Sequence, residues 1–192
     1  MNKPNNYDTV SAGEFTPAQL GGHICIIKDV IESMTKTGKP MIVVRFDFAP
    51  DDVQPNYFTN LFKDDIRPDK KWPYAGTAYI VTEDQDGNCT KRFKQFTTAY
   101  EKSNEVETVW GQNFANQFSG KLIGAVFGEV EHEYNGKVSM RHELRWFCDV
   151  NAAQSADIPA VKYLNGTESA PVRSGSQTGV FAPIDDEELP FN

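Results

Sequence analysis

KLIGAVFGEVEHEYNGKVSMRHELRWFCDV, Lys121 to Val150, is the stretch on which the fold turns. Asn135-Gly136 sits near its middle, flanked by two runs of β-forming residues. Asn-Gly is the preferred pair of a two-residue type I′ turn, because both positions need positive φ. The stretch therefore predicts an antiparallel hairpin, 121–134 against 137–150. With a two-residue loop, Phe127 opposes Leu144, Ala125 opposes Trp146 and Ile123 opposes Cys148, which gives one apolar face. On the other face Val126 meets Arg145, Val130 meets Arg141, and Gly124 lies opposite Phe147. That second face is basic, with small residues beside an aromatic one, and suits a flat ligand. A bulge would shift this register by one residue.

Upstream, GHICIIKDVIESM (Gly22 to Met34) is rich in β-branched residues and reads as a strand. TKTGKP (Thr35 to Pro40) is a turn by composition, and MIVVRFDFA (Met41 to Ala49) is a second strand. There Ile42, Val44, Phe46 and Phe48 share one face, with Met41, Val43, Arg45 and Asp47 on the other. Residues 50–75 hold four prolines and an aromatic-basic mixture, which predicts a long irregular excursion of the functional kind. TAYIVTED (Thr77 to Asp84) is a third strand, closed by the turn DQDGN. In TKRFKQFTTAYEKSN (Thr90 to Asn104) the period changes: Phe93, Phe96 and Tyr100 form a helical stripe. NFANQF (Asn113 to Phe118) adds a helical turn before the hairpin.

Three strands, one helix and two further strands form the order of an all-β OB-fold, a five-stranded antiparallel barrel. Residues 165–182 are poor in core formers and rich in Gly, Ser and Thr, and read as a flexible linker. The expected organisation is an arm (1–21), a domain (22–164), a linker (165–183) and an acidic tip (184–192).

Bulk properties narrow the class. Hydrophobic content of 39% in 192 residues is that of a folded chain, enough for one domain with appendages. No apolar run approaches the ~20 residues of a membrane span, and MNKPNNYDTV lacks the apolar centre of a signal peptide. A soluble cytoplasmic protein without membrane contact is the expectation. Cys25, Cys89 and Cys148 are widely spaced, and the three histidines show no ligand spacing to them, so no metal or other cofactor is expected. The net charge of −8 argues against a nucleic-acid partner, but four of the acids stand in the last eight residues. Location of charge decides such a question, and the bases of the body cluster.

An OB-fold binds single strands on its strand 2–3 face and on the loops joining strands 1–2 and 4–5. Lys36 and Lys39 fall in the first of these loops, Lys137 in the other with Arg141 beyond it, and Arg45 points outward on strand 2. Any one of these alone reads as a solvated surface cation; their agreement on one site gives the functional reading. The excursion supplies Tyr57, Phe58, Phe62, Trp72 and Tyr74, interleaved with Lys63, Arg67, Lys70 and Lys71. Bases stack on such rings for about 1–3 kcal/mol each, although about half of the five are expected to pin the excursion to the barrel. Phe46, Phe48, Phe127 and Trp146 are core candidates. Lys91, Arg92 and Lys94 crowd the start of the helix, where either a bound phosphate relieves their repulsion with the dipole or a surface helix tolerates that modest cost.

No nucleotide-binding, zinc-protease or serine-hydrolase motif occurs. Glu129, Glu131 and Glu133 alternate on one hairpin arm, and Asp51-Asp52 and Asp64-Asp65 pair along the chain. A nuclease metal site needs acids converging from different elements. No base, nucleophile and orienting group can be assembled, so no enzyme is expected.

The stretches TGKPMIVVRFDF, KRFKQFTTAYEKSN and GKLIGAVFGEVEHEYNGKV resemble the single-stranded DNA-binding proteins of phages and prophages of Gram-positive bacteria, from about Gly22 to Leu164. That resemblance implies an OB-fold that coats single strands in replication and recombination, without sequence preference. Separately, Asp185, Asp186, Glu187, Glu188, Leu189, Pro190 and Phe191 resemble the acidic tip with which bacterial single-strand binding proteins dock onto replication and recombination partners. Leu189 stands where isoleucine is usual, and Asn192 follows the phenylalanine whose carboxylate partners recognise in that family.

The expected function is single-stranded DNA binding, with Lys36, Lys39, Arg45, Lys63, Lys91, Arg92, Lys94, Lys137, Arg141 and Arg145 on the backbone. Tyr57, Phe58, Trp72 and Tyr74 are the stacking candidates, and a homo-oligomer fits the same reading. A protein-interaction adaptor on the same fold and a metal-dependent nuclease are the alternatives.

Overall fold

The computed structural model describes residues 15–166, together with Lys3, Asn5 and Asp8. It is mostly β: β1 (Gly21–Met34), β2 (Pro40–Phe48), β3 (Thr77–Val81), β4 (Leu122–Tyr134) and β5 (Lys137–Cys148) form one antiparallel sheet in the order β3-β2-β1-β4-β5. The sheet curls into a barrel-like body. Phe46 of β2 lies 5.4 Å from Phe147 of β5 and 6.3 Å from Phe127 of β4, ring centre to ring centre. Ile42, Val44, Phe46 and Phe48 all point inward and are buried, as their alternation predicts. The edge strands β3 and β5 face each other across a groove.

Among the described residues there are three α-helices, α1 (Tyr57–Asp64), α2 (Lys91–Asn104) and α3 (Val150–Gln154). The expectation of one helix is thereby corrected. α2 is the helix foreseen: Thr90 Oγ1 caps it by accepting from Phe93 N at 3.2 Å, and it buries Phe93, Phe96, Ala99 and Tyr100. α3 is short and capped by Asp149, and its Ala153 carbonyl comes so close to β1 that a Cβ on Gly22 would lie 1.8 Å from it.

α1 lies inside the excursion expected to be irregular. Its cap residue, Asn56, is left-handed (φ 54°) and gives no side-chain cap. The cap arrives from β2 instead. Asp47 is buried, and its carboxylate accepts Phe58 N at 2.8 Å, Thr59 N at 3.2 Å and Phe48 N at 2.9 Å, together with the Thr59 hydroxyl. The helix so fixed drives the Phe58 ring into the core beside Phe48 and Phe46.

The hairpin turn is as expected, with Asn135 at φ 50° and Gly136 at φ 72°. Predicted pairs hold from Tyr134↔Lys137 up to Phe127↔Leu144, including Val130↔Arg141. Arg145 is then an extra residue, and Val126 pairs with Trp146, Ala125 with Phe147 and Gly124 with Cys148. The bulge corrects the core assignment: Phe147 is buried and Trp146 only half-buried. Leu144 and Phe147 are three residues apart, and one inserted residue lets both face the core.

Beyond Phe127, β4 outruns its pairing with β1, and a returning segment takes that edge. Glu131 N donates to Lys162 O at 2.8 Å, and Lys162 N to Glu129 O at 3.0 Å. At the other end, residues 15–20 join the body rather than a separate arm. Ala18 is buried, Tyr57 donates its hydroxyl to Thr16 O at 2.9 Å, and Gln19 N donates to Gln54 Oε1 at 2.7 Å.

Beneath this segment, His23 stacks on Phe48 at 3.9 Å, with Nδ1 2.9 Å from Asp52 Oδ1 and Nε2 3.0 Å from Gln19 O. Burial pushes the Asp52 carboxyl up, but its hydrogen bonds to His23, Gln54 N and Ile24 N, with the attraction of His23, outweigh that and leave its pKa below the usual aspartate value. A carboxyl depressed on folding stabilises the protein above its unfolded value of about 3.9. That contribution is lost as pH falls through the lower folded value. Asp52→Asn is therefore expected to flatten the acid side of the stability profile below about pH 4, measured by urea melts across pH 2.5–7; an unchanged acid slope refutes this assignment.

Candidate nucleic-acid interface

The outward face of β1, β2 and β3 is built by strand pairing. Ile31 pairs with Val43 and Val43 with Tyr79, so the three side chains form one row across three strands. Ile31 is 44% exposed, and Val43 and Tyr79 are half-buried. Tyr74, 60% exposed, stands at the end of this row with its ring centre 6.3 Å from that of Tyr79.

These tyrosines open onto the groove between the edge strands, a cavity of about 260 Å³ lined by Tyr74, Tyr79, Arg92, Glu143, Arg145 and Lys162 among others. Burial, followed by Glu143 and Tyr79, pushes the Tyr74 hydroxyl above its ordinary pKa, against the pull of Arg141 and Arg92. Two arginines from different elements thus act on one exposed ring. Such a place offers rings for flat, stackable groups and positive charge for anionic ones.

The other expected contacts are distributed unevenly. Lys36 is exposed and Lys39 half-buried in the first turn, where Gly38 adopts φ 76°. Lys63 is exposed on the last turn of α1 and Lys137 at the tip of the hairpin. Arg45 is engaged in a two-pronged ion pair with Asp29, Nε to Oδ1 at 2.7 Å and Nη2 to Oδ2 at 2.6 Å. Arg145 Nη1 donates to Ala160 O at 2.9 Å, holding the returning segment at the wall of the groove. Lys91 and Lys94 line a different groove from Arg92, because a helix turns successive residues to different faces.

Among the aromatic candidates, Phe58 is corrected outright: it is fully buried and presents no face to a base. Tyr57 stacks on Phe48 at 5.6 Å and spends its hydroxyl on Thr16. Trp72 donates Nε1 to Gly76 O at 3.0 Å and packs against Phe62 and the core. Tyr74 is the excursion aromatic left at the groove. Sequence reasoning passed over Tyr79 and Lys162. Tyr79 was readable, since it lies between the inward Ala78 and Ile80; Lys162 was not, because only the returning segment brings it there.

The alternating glutamates part company: Glu131 is buried and accepts from Leu164 N at 3.1 Å, Glu129 lies near His142, and Glu133 is exposed. Among the described residues no three His, Cys, Asp or Glu side chains are placed to hold a metal ion, and no helix is long and apolar enough to cross a membrane. The tip residues Asp185, Asp186, Glu187, Glu188, Leu189, Pro190 and Phe191, and the linker from 167 onward, lie outside the described residues.

Fold and groove together define a five-stranded antiparallel β protein with an aromatic and basic cleft between its edge strands. Comparison with protein families and with curated proteins finds no match for the chain.

Proposed function

We propose that the chain is a non-enzymatic, sequence-independent single-stranded DNA-binding protein on an OB-fold barrel, serving phage DNA replication and recombination. The observation that carries this reading is the groove: Tyr74 and Tyr79 offer rings to bases, Arg92 and Lys162 line it, and Arg141 lies close enough to act on the Tyr74 hydroxyl, a set of cations along which phosphates would run. The OB label is supported by the sheet order, which leaves β3 and β5 as the two edges that meet at this groove. The acidic residues 185–188 would engage protein partners through Leu189 and Phe191, and at low salt compete with DNA for basic surface.

The test is titration of labelled oligo-dT against the full chain at several salt concentrations, with duplex as competitor. For single strands, log K falls with log salt at a slope of about −0.7 for each phosphate neutralised. Engagement of Arg92, Arg141 and Lys162 predicts a slope of about −2 or steeper, and Arg141→Ala is expected to reduce it by about 0.7. Binding that ignores salt, or duplex that competes equally well, overturns the reading.

A further inference from the structure

A second groove runs along the seam between α2 and the end of β5. Its floor is Ala99, Phe147 and Cys148, and Lys91, Lys94 and Lys102 stand along its rim with Gln95 and Thr98. Positions 91, 94, 95, 98 and 102 repeat at helical spacing, so one exposed stripe of α2 carries three lysines over an apolar floor. Asp149, the acid at this groove, is committed to capping α3 through Ala152 N at 3.0 Å. The cavity measures about 620 Å³, large enough for a few side chains.

The chain contains one segment of matching chemistry. Asp185, Asp186, Glu187 and Glu188 are followed at once by Leu189, Pro190 and Phe191. We infer that this groove receives the chain's own segment 185–191, the carboxylates against Lys91, Lys94 and Lys102 and an apolar side chain over Phe147 and Ala99. Reach is ample. Eighteen residues separate Gly166 from Asp185, and the residue-to-residue steps across them, at about 3.4 Å each, span up to roughly 65 Å. A domain of this size has a radius of gyration of about 15 Å. Seated here, the acids lie off the groove of Tyr74 and Tyr79. The inference does not depend on DNA binding.

Cys89 provides a native reporter. It is exposed and lines this groove, whereas Cys25 is fully buried and burial pushes the Cys148 thiol up to about 11. Alkylation of the full chain by iodoacetamide, an uncharged reagent, therefore reads Cys89. A tethered segment at an effective concentration on the order of millimolar occupies a weak site about half the time or more, so protection of about two- to fivefold is expected. Neutralising the segment (Asp185→Asn, Asp186→Asn, Glu187→Gln, Glu188→Gln), or replacing Leu189 and Phe191 by Ala, should each remove that protection. So should Lys94→Glu with Lys102→Glu. Equal Cys89 rates in wild type and in the neutralised segment overturn the inference, as does protection that grows with protein concentration, which would place a second copy's segment in the groove. These rates are read without DNA, so their outcome stands apart from whether the groove of Tyr74 and Tyr79 binds single strands.

Discussion

Asp47→Ala is expected to lower unfolding stability by about 3 kcal/mol, the loss anticipated when a buried acceptor is removed from several amides. The carboxylate accepts from Phe48 N, Phe58 N and Thr59 N and from the Thr59 hydroxyl, in a site where Asp47 is 2% exposed. Water has no ready access to replace it, so the amides at the start of α1 would be left unpaired. The helix loses its cap, since Asn56 contributes none, and an N-cap alone is worth about 1 kcal/mol. Phe58 is then less firmly held against Phe46, Phe48 and Phe127. Asp47→Asn keeps one acceptor oxygen but turns a donor toward Thr59, and should cost about half as much. Urea melts of the three proteins make the comparison. A loss below about 1 kcal/mol for the alanine variant would mean that α1 is held by packing alone.

This same contact explains why α1 escaped sequence reasoning. Tyr57, Phe58, Leu61 and Phe62 do carry a helical repeat, but four prolines between 50 and 75 and the absence of a local cap argued for a loop. The cap sits ten residues upstream, on a strand whose outward face was the natural place for a solvated aspartate. Local chemistry was legible wherever it was self-contained: the Asn135-Gly136 turn, the stripe of α2 and the inward face of β2. What failed was non-local. The bulge at Arg145 cannot be read from β5 alone, because it is fixed by the need of Leu144 and Phe147 to reach one core, and by Gly128 leaving room for the Arg145 stem. A Cβ on Gly128 would come within 3.0 Å of Arg145 Cγ. The site follows the same pattern. Cations on helices and turns were visible in the sequence, yet which of them share a groove was decided by helix rotation and by the returning segment around Lys162.

If Tyr74 and Tyr79 are the stacking rings, replacing both by alanine is expected to weaken oligo-dT binding by about 2–4 kcal/mol. At 1.4 kcal/mol for each factor of ten, that is roughly 30- to 1000-fold. The rings are suited by geometry: their centres lie 6.3 Å apart with planes 31° from parallel, so one strand could set a base against each. Replacement should cost little in folding, because Tyr74 is 60% exposed and Tyr79 points away from the inward Ala78 and Ile80. Tyr74→Phe with Tyr79→Phe keeps both π faces and should bind within about threefold of wild type, since stacking rather than hydroxyl contact carries the energy. Salt separates this from the ionic contribution. The alanine pair should shift the line of log K against log salt downward without changing its slope, whereas Arg141→Ala should make the slope shallower. Wild-type affinity in the alanine pair would move the strand off this groove. An equal loss in the phenylalanine pair would replace stacking with hydrogen bonding by the hydroxyls, and the sequence-independence argued from stacking would fall with it, because hydroxyl contacts to base edges discriminate among bases where ring faces do not.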